Sequence, residues 1–494
     1  MDKLHMLNQL EDNKIDKEKR NNIQHNLNKK TAKERILTIL DKGSFVEVGT
    51  LLNKNGAGIV GGHGTINGRL VYIYSEDYRV NGGAFNKFAA KKICDLMDCA
   101  VKTGAPIIKI FDSIGGKVNE GIELLAYYGN ILKKSSKLSG VVPQISIISG
   151  PCNGTMAVSA SISDFVIVVN EKGSLAVNIS ETLEKEEEVY IDDFMYCKGQ
   201  IVVDNNNAQF QVDTEEEAYK IVKDIFQYIP SNNLEMPYLT SECNNLNIEN
   251  DLLNELALND NLNNIDLIKN ISDEGYLLEI NKHIDKTIET YFVKLNGLTI
   301  GAICSNLKKE NSLNIRLANK ISSFVKLCDS FNIPILSVVN NKGFIASLDE
   351  EKNGLVNSIG KMVYTLADSN IPKISLVVGE AYGSGYLSLA SKETAFDVAL
   401  AWPTAKVALI EPEKLAKENH IDEILNSEVP SIKEKEIIDY YKDDFSDPYV
   451  AAEVGLIDDI IKPSETKQIL FAMFDMLQTK RELNYPKKHG SKLL

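Results

Sequence analysis

Two short glycine-rich stretches hold the residues best suited to chemistry in this sequence. One is SGPCNGT at positions 149–155 and the other is GEAYGSG at 379–385. Each follows an apolar run and precedes a helix-like pattern. One strand earlier, each region has a second glycine loop, Gly115-Gly116 in one and Gly343-Phe344 in the other. Adjacent strands of a parallel sheet would bring the two loops of a region together. Backbone N–H groups from both, one set at a helix N-terminus, would then converge on a single oxygen. That arrangement suits an enolate or a tetrahedral oxyanion. It does not suit a dinucleotide, because neither turn has GxGxxG spacing and no GxxxxGK[ST] loop exists. Glycine also simply permits a tight strand-to-helix turn, so the recurrence of the whole arrangement is what points to function.

Side chains offer little competing chemistry. His63, in GGHGTI, lacks an accompanying nucleophile with an acid partner and reads as structural. Asp112 and Glu120 flank Gly115-Gly116 and are placed to titrate in a cleft, although Asp112 reads more simply as a cap on the next helix. Cys152, beside Gly154, reads as a packed thiol rather than a nucleophile. Trp402 reads as a core or subunit-interface residue. No metal site is expected. Catalytic glycines without an evident acid, base or metal imply that the substrates carry the reactive groups.

The elements that must position these turns come in two copies. GAPIIKIF and VPQISIISGPCNGT in the first half correspond to NIPILSVV and IPKISLVVGEAYGS in the second. A shift of 229 lays Pro143 on Pro372, Gly150 on Gly379, Gly154 on Gly383 and Thr155 on Ser384, so the chain is internally duplicated. Each copy reads as helix, buried strand, glycine loop, helix, buried strand, glycine turn, helix, with strands at Ile107–Phe111 and Ile335–Val339. Alternation of this kind implies α/β crossover units. INGR and LNGL predict an Asn-Gly hairpin near the start of each copy. A polar, Asn-rich segment separates the copies. The predicted boundaries are 1–240 for the first domain, 241–265 for a linker with one short helix, and 266–494 for the second domain.

The chain has 494 residues, 44% hydrophobic and 25% charged, with a net charge of −15 at pH 7. This balance is that of a soluble globular protein with two domains, and the acidity argues against nucleic acid as a partner. No apolar run is long enough to span a membrane. The first 24 residues read as a polar, charged helical arm rather than a secretory signal. Seven cysteines without CxxC spacing read as reduced thiols in a cytoplasmic protein.

The longer motifs resemble the carboxyltransferase component of biotin-dependent acyl-CoA carboxylases and decarboxylases, a family built from two tandem crotonase-type domains. ERILTILDKGSFVEVG, GAGIVGGHGTINGR, EDYRVNGGAFNKFAAKKICDLMDCAVKTGAPII, SGVVPQISIISGPCNG, IPKISLVVGEAYGSGY and LAWPTAKVA carry the resemblance across nearly the whole chain. It implies transfer of a carboxyl group between carboxybiotin and the α-carbon of an acyl-CoA thioester. Each oxyanion that forms would rest in one of two backbone holes. By position, the thioester hole would use N–H groups of Gly116 and Gly154-Thr155, and the biotin hole those of Gly343-Phe344 and Ser384-Gly385. Gly115, Lys117 and Gly383 would contribute to binding of the CoA thioester and biotin, and Leu387 would help to choose the acyl chain.

The chain also departs from the family pattern. DSGGARIQEG is DSIGGKVNEG here, so Ile114 replaces Gly, Gly116 replaces Ala and Lys117 replaces Arg. DVPGF is NNKGF, GPCAGG is GPCNGT and AYGGAYD is AYGSGYL, while the acidic ETLEKEEEVYIDDFMYCKG replaces a Gly-Gly-x-x-His stretch. Ile114 and Thr155 are expected to add bulk where glycine adopts positive φ. No biotinyl-lysine motif or ATP-grasp region is present, so the expected partners are a biotin carboxyl carrier protein and a biotin carboxylase subunit, or a membrane decarboxylase subunit. A homo-oligomer is expected, with a hexamer as one possible size. A decarboxylase subunit, a non-catalytic paralogue and a crotonase-type hydratase or thioesterase are the alternatives.

Overall fold

The computed structural model describes residues 24–52, 57–237, 239, 249–258, 264–306, 312–482, 486, 487 and 489–491. The chain divides into two compact units, Met1–Asn233 and Leu234–Leu494. The arm expected over residues 1–24 lies outside the described residues except for Gln24, as does Cys243. The segment 241–265 is described at 249–258 and 264–265. There it holds the Asp251–Ala257 helix and the start of a second, Asn264–Ile271.

The first unit is built on strands β1 (Val46–Glu47), β2 (Ile59–Ile66), β3 (Arg69–Glu76), β4 (Ile107–Phe111), β5 (Gln144–Ile148), β6 (Pro151–Asn153), β7 (Phe165–Val169), β8 (Ser174–Ala176) and β9 (Phe210–Val212). Its main sheet runs β1-β2-β3-β4-β5-β7-β9, and β6 pairs with β8 beside it. The β2–β3 pair is antiparallel, and β3 through β9 run parallel. β4 and β5 are buried on both faces, as parallel strands covered by helices are, and their burial includes the polar Lys109, Gln144 and Ser146. The Lys87–Thr103 helix packs against β2 and β3 and buries Ile93, Leu96, Met97 and Ala100. Asn86 Oδ1 caps its start by accepting the N–H of Phe88 and Ala89, and Gly104 closes it at φ 61°.

The second unit repeats the plan with β10 (Leu277–Ile280), β11 (Ile288–Leu295), β12 (Leu298–Ser305), β13 (Ser312–Leu313), β14 (Ile335–Asn341), β15 (Gly343–Phe344), β16 (Lys373–Tyr382), β17 (Val398–Ala401), β18 (Lys406–Ala408) and β19 (Asp459–Ile460). Its sheet runs β10-β11-β12-β14-β16-β17-β19, with β18 on β16 and a separate β13–β15 pair. The strand order matches that of the first unit. Both hairpins form as the Asn-Gly pairs predict: Asn67 and Gly68 have φ 51° and 75°, Asn296 and Gly297 φ 49° and 83°, the two positive values that a type I′ turn requires.

Two elements run further than the apolar pattern suggests. β14 continues past Val339 to Asn341, and β16 passes through Gly379 to Tyr382, whereas the first unit breaks the same path into β5 and β6. Trp402 is buried in the second core, its indole N–H donating to Thr466 Oγ1 at 3.0 Å. His63 lies half-buried on β2 with its ring tilted against Tyr72. Cys152 is buried, and burial pushes its thiol well above the ordinary range, which suits packing rather than nucleophilic attack. Among the described residues no helix is long and apolar enough to cross a membrane.

Candidate active site

In the first unit the loop after β4 is tied down from three sides. Gly115 sits at φ 115° and its N–H donates to Ser113 Oγ at 3.1 Å, a side chain two residues back. Phe85 brackets the next residue: its N–H donates to the Gly115 carbonyl at 2.9 Å, and its carbonyl accepts from Lys117 N–H at 2.9 Å. The N–H of Gly116 lies between these bonds and donates to no acceptor among the described residues. Ser113 N–H donates to the Pro151 carbonyl at 3.0 Å, which joins this loop to β6 and the turn that follows.

That turn starts the Thr155–Ser161 helix. Gly154 stands before it at φ 63° and its own N–H donates to the Ala176 carbonyl at 3.0 Å. The donors left over are therefore those of Thr155 and Met156 in the first helical turn, where no intrahelical partner exists and no side chain caps. The positive end of the helix dipole lies at the same place. Of the pair Gly154-Thr155, the Gly154 N–H is already bonded and only the Thr155 donor lacks an acceptor among the described residues.

The second unit repeats this geometry closely. Gly343 sits at φ 112° and its N–H donates to Asn341 Oδ1 at 2.8 Å, again two residues back. Ile345 N–H donates to the Leu313 carbonyl at 3.0 Å, so Phe344 takes the bracketed place that Gly116 has in the first unit. The Gly343 donor is thus spent, and the Phe344 donor has no acceptor among the described residues. The Gly383–Leu389 helix follows β16, with Gly383 at φ 46° and the N–H groups of Ser384 and Gly385 in its first turn. The two loops touch here: a Cβ placed on Gly385 would lie 2.9 Å from Gly343 N, and one on Gly343 would lie 3.1 Å from Ser384 Oγ.

The bulk expected at Ile114 and Thr155 causes no backbone strain. Positive φ falls on the neighbouring glycines 115 and 154, while Ile114 turns outward, 62% exposed, and packs over Gly82. Lys117 is about half exposed and pairs loosely with Glu120 at 3.8 Å, and Leu387 is exposed on the helix that Gly383 begins. Glu120 accepts the Lys87 N–H at 2.8 Å and so supports the start of a helix rather than standing free in a cleft.

Asp112 caps no helix. Its carboxylate is fully buried and receives Lys29 Nζ at 3.0 Å, Arg35 Nη2 at 2.9 Å and Gln24 Nε2 at 3.3 Å. Arg35 also holds Glu215 at 2.7 Å, and Tyr219 OH donates to that carboxylate at 3.0 Å. Burial beside Asp112 drives Glu76 up to about 8, and its oxygen accepts the Asp112 N–H at 2.8 Å. Ser113 and Asn341 escaped the sequence reading as loop organisers. The available signal was a short polar side chain two residues before the loop glycine in both copies, the pattern of an ST- or Asx-turn.

With this geometry in view, comparison with known proteins is decisive. A family model described as the carboxyl transferase domain matches residues 23–491. The chain belongs to the carboxyl transferase family. Relatives include the carboxyltransferase subunit of propionyl-CoA carboxylase from Haloferax mediterranei, 33% identical over 95% of this chain and 94% of that protein. The methylmalonyl-CoA decarboxylase subunit alpha of Propionigenium modestum is 34% identical over the same shares. A transcarboxylase 12S structure, described as a hexamer with methylmalonyl-coenzyme A bound, superposes with a TM-score of 0.90 at 30% identity, covering 96% of this chain and 94% of that one. This carboxyltransferase therefore has the tandem crotonase-type α/β fold and the acyl-CoA carboxyl transfer activity that the resemblance implied.

Proposed function

We propose that the chain transfers a carboxyl group between biotin on a carrier protein and the α-carbon of a short acyl-CoA of the propionyl or methylmalonyl type. The observation that carries this reading is the pair of matching half-sites, each with one loop N–H and a helix-start N–H that have no acceptor among the described residues. Gly116 and Thr155 N–H would hold the thioester oxygen as it gains enolate charge. Phe344 with Ser384 and Gly385 would hold the ureido oxygen, and one acceptor oxygen suits the free donors found there. Biotin, when bound, supplies the transferable carboxyl group and the ureido oxygen that takes up the α-proton. Preorganised donors of this kind act where charge develops, and losing one costs about 10²- to 10³-fold in rate.

Gly115 and Gly383 shape the backbone at the two binding turns, Lys117 is placed to meet the anionic CoA, and Leu387 stands where the acyl chain would be sensed. Free donors in both halves favour catalysis over an assembly-only role. Exposed Val118, Ile122 and Leu125 near the first half-site suit burial in a homo-oligomer, and the 12S relative is a hexamer. The partners would be a biotin carboxyl carrier protein with a biotin carboxylase in the cytoplasm. A membrane decarboxylase subunit would take their place if the chain works in the direction of its Propionigenium relative.

The test is decarboxylation of methylmalonyl-, malonyl- and glutaconyl-CoA by the purified chain, with and without free biotin. Biotin-dependent loss of carboxylate from methylmalonyl-CoA is expected. A protein that binds CoA thioesters yet decarboxylates none of them under either condition would refute the reading.

A further inference from the structure

The Tyr128 hydroxyl lies beside Gly116, the residue that carries the loop donor, and has no assigned task. Its ring stacks on Phe85 with centroids 4.4 Å apart and planes 20° from parallel. Phe85 is the residue whose backbone brackets Gly116, so ring and donor are held by one neighbour. A Cβ on Gly116 would come within 2.7 Å of the Tyr128 hydroxyl and 2.7 Å of Leu124 Cδ2. The family pattern has alanine at this position. Here the glycine leaves the space of that methyl group open, and the phenol reaches into it. The hydroxyl makes no hydrogen bond among the described residues, although the side chain is half-buried and a buried polar group ordinarily finds a partner.

From this placement we infer that the Tyr128 hydroxyl is a third hydrogen-bond donor to the oxygen bound by Gly116 N–H. The inference rests on the proposed reading of the first half-site as the thioester site. The phenol donates its proton into the hydrogen bond without losing it, so no net transfer is involved. Burial drives its ionisation up to about 12, which keeps it a donor throughout the neutral range. A tyrosine fixed by stacking loses little freedom on engaging the oxygen, and the bond strengthens as the thioester carbonyl gains enolate charge.

The experiment compares two unreactive propionyl-CoA analogues by calorimetry. One is the ketone in which CH2 replaces the thioester sulfur, and the other is a thioether lacking the carbonyl. The wild-type chain should prefer the ketone. Tyr128→Phe should cut that preference about tenfold, the value of a typical net hydrogen bond, while thioether affinity stays unchanged. Gly116→Ala should cut it as well by displacing the hydroxyl, and adding Tyr128→Phe to Gly116→Ala should then change nothing further. An undiminished ketone preference in Tyr128→Phe overturns the inference and leaves the site assignment standing. Equal weakening of both analogues would reduce the residue to a packing role and overturn it too. Failure of the wild-type chain to bind either analogue would instead remove the thioester site, and this inference with it.

Discussion

The two halves build the same donor geometry from different materials. In the first half, the position at the foot of the glycine loop is Asp112, a buried carboxylate clamped by Lys29 and Arg35. In the second, the equivalent residue is Asn340, whose neutral amide accepts the Glu380 N–H at 2.9 Å and donates to the Asn306 carbonyl at 3.2 Å. Gly150 and Gly379 stand against these two side chains, where a Cβ would collide with either. The next position differs in the opposite sense. Ser113 is small, while Asn341 is larger and faces Gly385, the position that Met156 occupies in the first half. Loop and helix have thus exchanged volume while the shape of the donor pair was kept. A duplicated site can drift in charge and size as long as each change has a partner in the same half.

Removing Arg35 should have the largest consequence and would show how far the halves differ. Arg35→Ala leaves the buried Asp112 and Glu215 without their shared counter-charge. A stability loss of about 3–5 kcal/mol is expected in denaturant unfolding. Among the described residues, no buried arginine plays that part beneath Asn340. A loss below about 1 kcal/mol would mean that Lys29 alone neutralises Asp112, and the contrast between charged and neutral loops would collapse.

Gly385→Ala tests the exchange of volume. Its Cβ would meet Asn341 and Gly343 N, so turnover should fall about 10²-fold as the Phe344 and Gly385 donors separate. Asn341→Ser, which imports the solution of the first half, should return part of that activity in the double variant. If Asn341→Ser worsens Gly385→Ala, the two positions are not coupled as described.

The smallest expected effect concerns Glu76, which has no acidic counterpart in the second half, where Ser305 ends β12. Burial raises its folded pKa from 4.5 to about 8. The folded chain therefore holds a proton that the unfolded chain has released. The stability owed to this group is fully present below pH 4.5 and is lost as the pH rises through 8. Glu76→Gln keeps an acceptor for the Asp112 N–H and removes the ionisation. The variant should gain on wild type progressively as the pH rises from 4.5 towards about 8, and the two should be closest in stability below pH 4.5. Parallel pH profiles would show that Glu76 ionises freely in the fold.

Much of this architecture is legible in the sequence itself. Duplication, the buried strands and the Asn-Gly hairpins follow from local patterns of period two, of period 3.6 and of turn chemistry, and they form where those patterns place them. Gly116, Thr155, Phe344, Ser384 and Gly385 stand out because a glycine turn after a buried strand is also a local pattern. The identity of the spent donors is not legible, since Gly154 bonds Ala176 across a strand pair that no periodicity announces. Nor is the cluster under Asp112, in which Arg35 and Glu215 are separated by 180 positions. Lys109 shows the same limit. It lies within the strand expected to be buried at Ile107–Phe111 and is itself fully buried, donating to Gln144 at 2.8 Å, a partnership across strands that no local pattern shows. In the second half the buried amine belongs instead to Lys373, on the neighbouring strand at the position equivalent to Gln144.

The bond from Arg35 to Glu215 also has a meaning in time. A ribosome that has delivered Asp112 but not Glu215 has produced an arginine with half of its counter-charge, so the first glycine loop rests on an incomplete foundation until most of its unit has emerged. The second loop needs no such long wait, because Asn306, Asn340 and Glu380 are all made within one short stretch of synthesis. Newly made chains should therefore complete the second half-site promptly once its strands exist, while the first depends on the earliest residues of its unit waiting for the latest.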